Sequence, residues 1–193
     1  CQYVAKRAYA VRSILDAKYG LRNFQSNTVI CIFDRVSIEL AAPERVDVGK
    51  RAPINTTGQY EYDGTPFTGR VILNDTTMSS AYPCRRAYRT EAIWDPIYEL
   101  SAFFSNQLAV VFDRVEISLE TGDTRIDIGS TAQITATAAY SYDGTSFSGS
   151  VVLNDTVLSQ QAVGKRAYTT ERIVDERYGL QSFNCKAVSI VFD

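Results

Sequence analysis

A chain of 193 residues with 45% hydrophobic side chains and a formal net charge of −2 has the composition of a folded protein, not of a disordered one. Twenty basic residues set against 22 acidic ones give no basic surface for nucleic acid. No apolar run approaches the ~20 residues that a membrane-crossing helix needs. Histidine is absent, which removes the commonest general acid–base and metal ligand. No signal peptide is read in the sequence, though a mature or excised chain would have lost one.

The chain opens on a segment, 1–34, containing Lys6-Arg7-Ala8-Tyr9, then Ile14, Asp16, Tyr19, Leu21 and Phe24, and closing on the apolar run Val29–Phe33. Phe33-Asp34-Arg35-Val36 leads into Val36-Ser37-Ile38-Glu39-Leu40, whose alternation predicts a half-buried strand. After it come Val46-Asp47-Val48-Gly49, Tyr60-Glu61-Tyr62-Asp63-Gly64-Thr65-Pro66-Phe67-Thr68-Gly69 and Val71-Ile72-Leu73-Asn74-Asp75-Thr76. Then the opening segment returns: Arg85-Arg86-Ala87-Tyr88, followed by Ile93, Asp95, Tyr98, Leu100 and Phe103, up to Phe112-Asp113-Arg114-Val115.

From there the whole unit repeats. Its first half recurs as Val115–Leu119, Ile126-Asp127-Ile128-Gly129, Tyr140–Gly149 and Val151–Thr156. Its second half recurs as Lys165-Arg166-Ala167-Tyr168, Ile173, Asp175, Tyr178, Leu180 and Phe183, ending on Phe192-Asp193. A fixed internal period marks a repeat architecture. The predicted organisation is a partial module over 1–34, matching only the second half of the unit, and complete modules over 35–113 and 114–193.

Short strands with turn signals at regular spacing, including the Asp-Gly of each Tyr-x-Tyr-Asp-Gly, predict an all-β fold. The expected architecture is tandem immunoglobulin-like β-sandwich modules with an N-terminal partial module. The segment Arg172–Leu180 is the one place where a short helical turn could hide. The combination Tyr-x-Tyr-Asp-Gly-Thr-x-Phe-x-Gly, Leu-Asn-Asp-Thr, Tyr-Gly-Leu and Phe-Asp-Arg-Val resembles tandem Ig-like repeats of archaeal cell-surface proteins. That resemblance covers nearly the whole chain. It implies an extracellular, non-enzymatic surface-layer, adhesin or filament component, and it carries over no catalytic residues.

The partial module poses a physical problem. Tyr9, Ile14, Leu21, Phe24, Val29, Cys31 and Phe33 match positions that a complete module buries, and alternation puts Val29, Cys31 and Phe33 on one face, with Cys31 directed at a core. A lone hairpin is not stable in water, and its open edge invites pairing with another chain. These seven residues are the candidate interface of a self-associating subunit, joined head-to-tail by strand addition or exchange. The competing explanation of the segment is a proteolytic boundary cut through a module, which leaves a frayed tail, and the alternative function is an adhesin or glycan-binding fragment.

Cys1, Cys31, Cys84 and Cys185 show no metal-binding spacing; an even count fits two disulfides, with three connectivities open, and the alternative is four unpaired thiols. Asn55, Asn74 and Asn154 head Asn-x-Thr sequons, although Leu-Asn-Asp-Thr also reads as a turn. The paired Asp34/Arg35 and Asp113/Arg114 are expected to set the geometry of the joints between modules. Twelve tyrosines exceed what a sandwich core needs, and Tyr60, Tyr62, Tyr140 and Tyr142 are placed on both faces of one strand pair. The carboxylates recur at turns and joints, which argues for structure over chemistry. No cofactor, metal site or enzyme activity is expected.

Overall fold

The computed structural model describes residues 3–193. Among them the protein is all-β, with no α-helix. The chain separates into two compact units. The first takes the chain to Ala41, Asn55–Asn74 and Arg89–Gln107; the second takes Ala42–Ile54, Asp75–Tyr88 and Leu108–Asp193. The division therefore falls inside the sequence repeat.

In the first unit, β1 (Ala5–Tyr9) and β2 (Val29–Phe33) form an antiparallel pair, with Lys6 opposite Ile32 and Tyr9 opposite Val29. β3 (Val36–Ala41) is central to a three-stranded sheet. It pairs antiparallel with β5 (Asn55–Tyr60) and parallel with β8 (Phe103–Ser105). β6 (Arg70–Leu73) pairs with the later part of β7 (Cys84–Trp94). The alternation read in Val36–Leu40 is realised: Val36, Ile38 and Leu40 are buried, while Ser37 and Glu39 turn outward.

In the second unit, β4 (Arg45–Asp47) lies parallel to β9 (Gln107–Asp113), with Arg45 opposite Val111, and β9 also pairs with β7. β10 (Val115–Thr121) is flanked by antiparallel β12 (Ile134–Tyr140) and parallel β16 (Phe183–Lys186). β11 (Arg125–Ile126) is parallel to β17 (Val188–Phe192), whose other edge takes β14 (Gly164–Tyr168). β13 (Gly149–Leu153) pairs with β15 (Thr170–Asp175).

The cores follow the repeat. Ala52, Tyr88, Val110 and Phe112 form one cluster; Ala132, Tyr168, Ile190 and Phe192, at the same repeat positions, form another. In each, the tyrosine hydroxyl donates to a backbone carbonyl: Tyr88 to Thr77 at 2.9 Å and Tyr168 to Val157 at 2.8 Å. That bond satisfies the polar tip of a ring buried for its apolar area. A third cluster gathers Val115, Ile117, Leu119, Tyr140, Ile173 and Leu180.

The turns are those the sequence announced. Gly64 and Gly144 close the Tyr-x-Tyr-Asp-Gly turns at φ of 75° and 69°, a region that residues with a Cβ rarely occupy. Gly20 and Gly179 of Tyr-Gly-Leu sit at 68° and 70°, and Glu99 holds the same conformation, φ 56°, without being glycine.

The segment where a short helical turn could hide is strand to Asp175, followed by a single hydrogen-bonded turn and no helix. Asp175 holds that turn by accepting the backbone N–H groups of Arg177, Tyr178 and Leu180. Asp95 and Asp16 hold their loops the same way, through Ile97, Tyr98 and Leu100 and through Lys18, Tyr19 and Leu21.

Candidate functional site

Two features of this fold are built for contact: an uncovered hairpin face and a charged aromatic clamp.

The hairpin face comes from β1 and β2. At two matching repeat positions Tyr88 and Tyr168, and Phe112 and Phe192, are fully buried, whereas Tyr9 is 48% and Phe33 36% exposed. Val29, Ile14, Leu21 and Phe24 are exposed as well. Of the seven residues expected to form an interface, Tyr9, Val29, Cys31 and Phe33 lie on β1 and β2, and Ile14, Leu21 and Phe24 lie on the connection between those strands. Cys31 corrects an expectation. Its equivalents Val110 and Ile190 are buried, but Cys31 itself is exposed, because the strands that cover those equivalents have no counterpart over β2 among the described residues.

The clamp was not visible as such in the sequence. Arg45, whose side chain is 5% exposed, places Nη1 on Asp113 and Nη2 on Asp143. Its guanidinium lies 4.7 Å from the Tyr140 ring centre and 4.6 Å from that of Tyr178. The two rings meet edge to face at 5.2 Å. Planar guanidinium stacks on aromatic faces and forks onto carboxylates, which ammonium cannot do. Burial works against the charge on Arg45, but hydrogen bonds to Asp143 and Asp113 outweigh it and raise its pKa.

Both carboxylates are preorganised. Asp113 is fully buried and accepts the N–H groups of Arg114 and Tyr142 on Oδ1 at 2.9 Å each. Asp143 accepts Thr145 through N–H at 3.1 Å and Oγ1 at 2.7 Å, also on Oδ1. In each case Oδ2 is left for the arginine. Two positions along β4, Asp47 Oδ1 accepts the N–H groups of Gln181 at 2.8 Å and Ser182 at 2.7 Å. The Asp-Arg expectation is thereby corrected. Asp113 pairs with Arg45, not Arg114, and Arg114 turns to Glu116 at 2.8 Å. Arg35 likewise pairs with Glu61 at 2.6 Å. A side chain adjacent in sequence points away from its neighbour in an extended backbone.

The hydrogen bond from Arg45 and the bonds from Thr145 hold the Asp143 carboxyl down at about 2. A depressed carboxylate contributes stability above its ordinary value of 3.8 and loses it as pH falls through about 2. With Asp143 partly exposed, that contribution is discounted to about 1 kcal/mol. Thermal melts of Asp143→Asn and wild type are expected to differ by that amount at pH 6 and to converge as the pH falls through that window.

The first unit holds the same acceptor. Asp34 Oδ1 accepts Arg35 N–H at 2.8 Å and Tyr62 N–H at 3.0 Å, and Asp63 Oδ1 accepts Thr65 N–H at 3.0 Å and its hydroxyl at 2.7 Å. Tyr60 and Tyr98 meet edge to face at 5.2 Å. Both rings and both carboxylates line a cavity of about 290 Å³, together with Ile32, Tyr62 and Leu100. A second cavity adjoins β2 at Ile32, Phe33, Asp34, Leu100 and Ala102. Tyr98 is 64% exposed, whereas Tyr178 beneath Arg45 is half-buried.

The remaining candidates are dispersed. Asn55, Asn74 and Asn154 are exposed. Asn74 and Asn154 also reach across to the neighbouring strand, accepting the N–H of Arg89 at 2.7 Å and of Thr169 at 2.8 Å. The turn reading of Leu-Asn-Asp-Thr is realised through Asp75 and Asp155, which accept the N–H of Thr77 at 2.7 Å and of Val157 at 2.8 Å. Arg86 and Arg166 of the Arg-Ala-Tyr strands fold back onto the turn carboxylates Asp75 and Asp155. Tyr60 and Tyr140 are buried, each donating its hydroxyl to Asp95 or Asp175, while Tyr62 and Tyr142 are exposed.

No two cysteines are bonded to each other among the described residues. Cys31, Cys84 and Cys185 are free thiols on three different strands, and Cys1 lies outside the described residues. No protein-family model matches the chain, and no curated protein sequence matches it.

Proposed function

We propose that the protein is a structural subunit of an extracellular filament or cell-surface assembly, built of Ig-like modules and joined to a second copy of itself through the β1–β2 hairpin. The observation that carries this reading is the contrast in burial at matched repeat positions. Tyr9 and Phe33 stand in solvent where Tyr88, Tyr168, Phe112 and Phe192 are sealed. A two-stranded pair of this length gains too little to hold an apolar face in water unaided.

The cover that fits this face is already written in the chain. The segments 42–54 and 122–134 supply Ala52 and Ala132 to the clusters that enclose Tyr88 and Tyr168. A second copy presents the same chemistry to β2. Such a contact joins different surfaces of the two partners and propagates into an open fibre unless its rotation closes a ring. The exposed asparagines suit a glycosylated surface, and the reading calls for no enzyme chemistry and no cofactor.

Light scattering and negative-stain electron microscopy of the purified chain test this. Regular fibres or a concentration-dependent oligomer series are expected. A monodisperse monomer at high concentration, seen as dispersed short particles, sinks the reading and leaves the adhesin alternative, which a glycan array then addresses.

A further inference from the structure

The protein carries one receptor twice, and one of the two holds its ligand within the same unit. In the second unit, the extended strand β4 brings an arginine and an aspartate two residues apart, so both side chains leave the same face of the strand. Arg45 enters the cage of Asp113, Asp143, Tyr140 and Tyr178, and Asp47 caps the N–H groups of Gln181 and Ser182. The strand itself runs parallel to β9, with Arg45, Val46 and Asp47 opposite Val111, Phe112 and Asp113.

Every receiving group recurs in the first unit. Asp34, Asp63, Tyr60 and Tyr98 stand at the positions of Asp113, Asp143, Tyr140 and Tyr178, with the same bonds on each Oδ1 and the same 5.2 Å edge-to-face ring pair. Among the described residues no donor reaches Oδ2 of Asp34 or Asp63. Ser101 and Ala102 hold the positions of Gln181 and Ser182. Ile32, Phe33 and Asp34 hold the positions of Val111, Phe112 and Asp113, and β2 has no strand on its second edge among the described residues. The two adjoining cavities lie where β4 places its arginine and its aspartate in the second unit.

We propose that the open edge of β2, with the Asp34–Asp63–Tyr60–Tyr98 cage and the Ser101/Ala102 amides, is a receptor for an extended Arg-apolar-Asp strand laid parallel to β2, its arginine opposite Ile32. The occupant is defined by its chemistry. The guanidinium forks between two carboxylates over two rings, its carboxylate partner caps two amides, and main-chain bonds along β2 set the register. Lysine cannot replace the arginine, because a point charge neither stacks nor forks.

The inference rests on the self-assembly reading only for the source of the strand. In such an assembly the donor is Arg125-Ile126-Asp127 of a second copy, which repeats the Arg45–Asp47 pattern and exchanges its pairing with β17 for β2. That pairing is only two residues long, and its arginine, 72% exposed, forms an ion pair with Asp193 at 3.0 Å.

The test is calorimetric titration of the full chain with a synthetic peptide of the Ala42–Ile54 sequence. One-to-one binding is expected, weakened at least tenfold by Asp63→Asn in the protein and equally by Arg45→Lys in the peptide. The carboxamide introduced by Asp63→Asn keeps an oxygen for Thr65, so the turn survives, and Asp143→Asn, altering the filled cage, is expected to leave peptide affinity unchanged. If Asp63→Asn impairs folding, the peptide variant alone carries the comparison. Absence of binding, or affinity indifferent to the peptide's arginine, overturns the receptor. Peptide binding by a chain that light scattering finds monomeric upholds the receptor and overturns the self-assembly reading. Fibres from a chain that ignores the peptide do the reverse.

Discussion

Arg45→Ala is expected to destabilise the unit that contains it by about 3–5 kcal/mol, because it strips the partner from a buried charge. Asp113 is fully buried, and its Oδ2 receives Arg45. Without the guanidinium the carboxylate is left desolvated and half-bonded. The substitution also removes the cation from between Tyr140 and Tyr178, where such contacts are worth about 1–2 kcal/mol when desolvated.

Arg125→Ala supplies the internal control, since it alters the same repeat position. Its side chain is 72% exposed and pairs with a partly exposed Asp193, so its loss is expected to cost no more than about 1 kcal/mol. Chemical denaturation of the two variants beside wild type measures both. Equal losses would mean that the cage does not hold Arg45 as described. Since replacing both members of a buried pair by packed apolar groups is often neutral, the Arg45→Ala loss measures an orphaned carboxylate rather than the net worth of the clamp.

The second large effect concerns association. Tyr9→Asp combined with Val29→Asp is expected to convert a self-associating chain into a monomer while leaving its stability within about 1 kcal/mol of wild type. Both residues are exposed in the isolated chain, and exposed substitutions cost little to the fold. In an assembly the same residues, which face each other across β1 and β2, would carry two charges into an apolar contact. Sedimentation velocity reads the association and thermal melting the fold. Oligomers that persist through both charges would exclude the hairpin face as the joint. Monomerisation accompanied by lost stability would mean that these side chains serve the chain's own core.

Much of the fold was legible because the chain is written more than once. Alternation in Val36–Leu40 and Val115–Leu119 marked the strands, the Asp-Gly pairs marked the turns, and copy-against-copy matching identified Tyr88, Tyr168, Phe112 and Phe192 as core. Each signal is local or is a comparison of equivalents, and each needs only a period of two or a glycine where φ must be positive. The loops of Asp16, Asp95 and Asp175 misled in one place. Three carboxylate-held amides stop the chain after a single hydrogen-bonded turn, and the apolar spacing around Asp175 resembles a helix start.

What the sequence determined by itself is the repeat, the all-β class and the apolar character of the hairpin face. What only the tertiary structure decided is which charge meets which. Asp113 stands beside Arg114 in the chain but binds Arg45, and Asp143 comes to the same guanidinium from far along the sequence. Asp47 reaches amides at 181 and 182. Ion pairing depends on distance and burial, and in an extended chain neither follows from adjacency. For the same reason, the pattern Arg-apolar-Asp reads as two ordinary surface strands until one arginine is found in a cage and its counterpart in solvent.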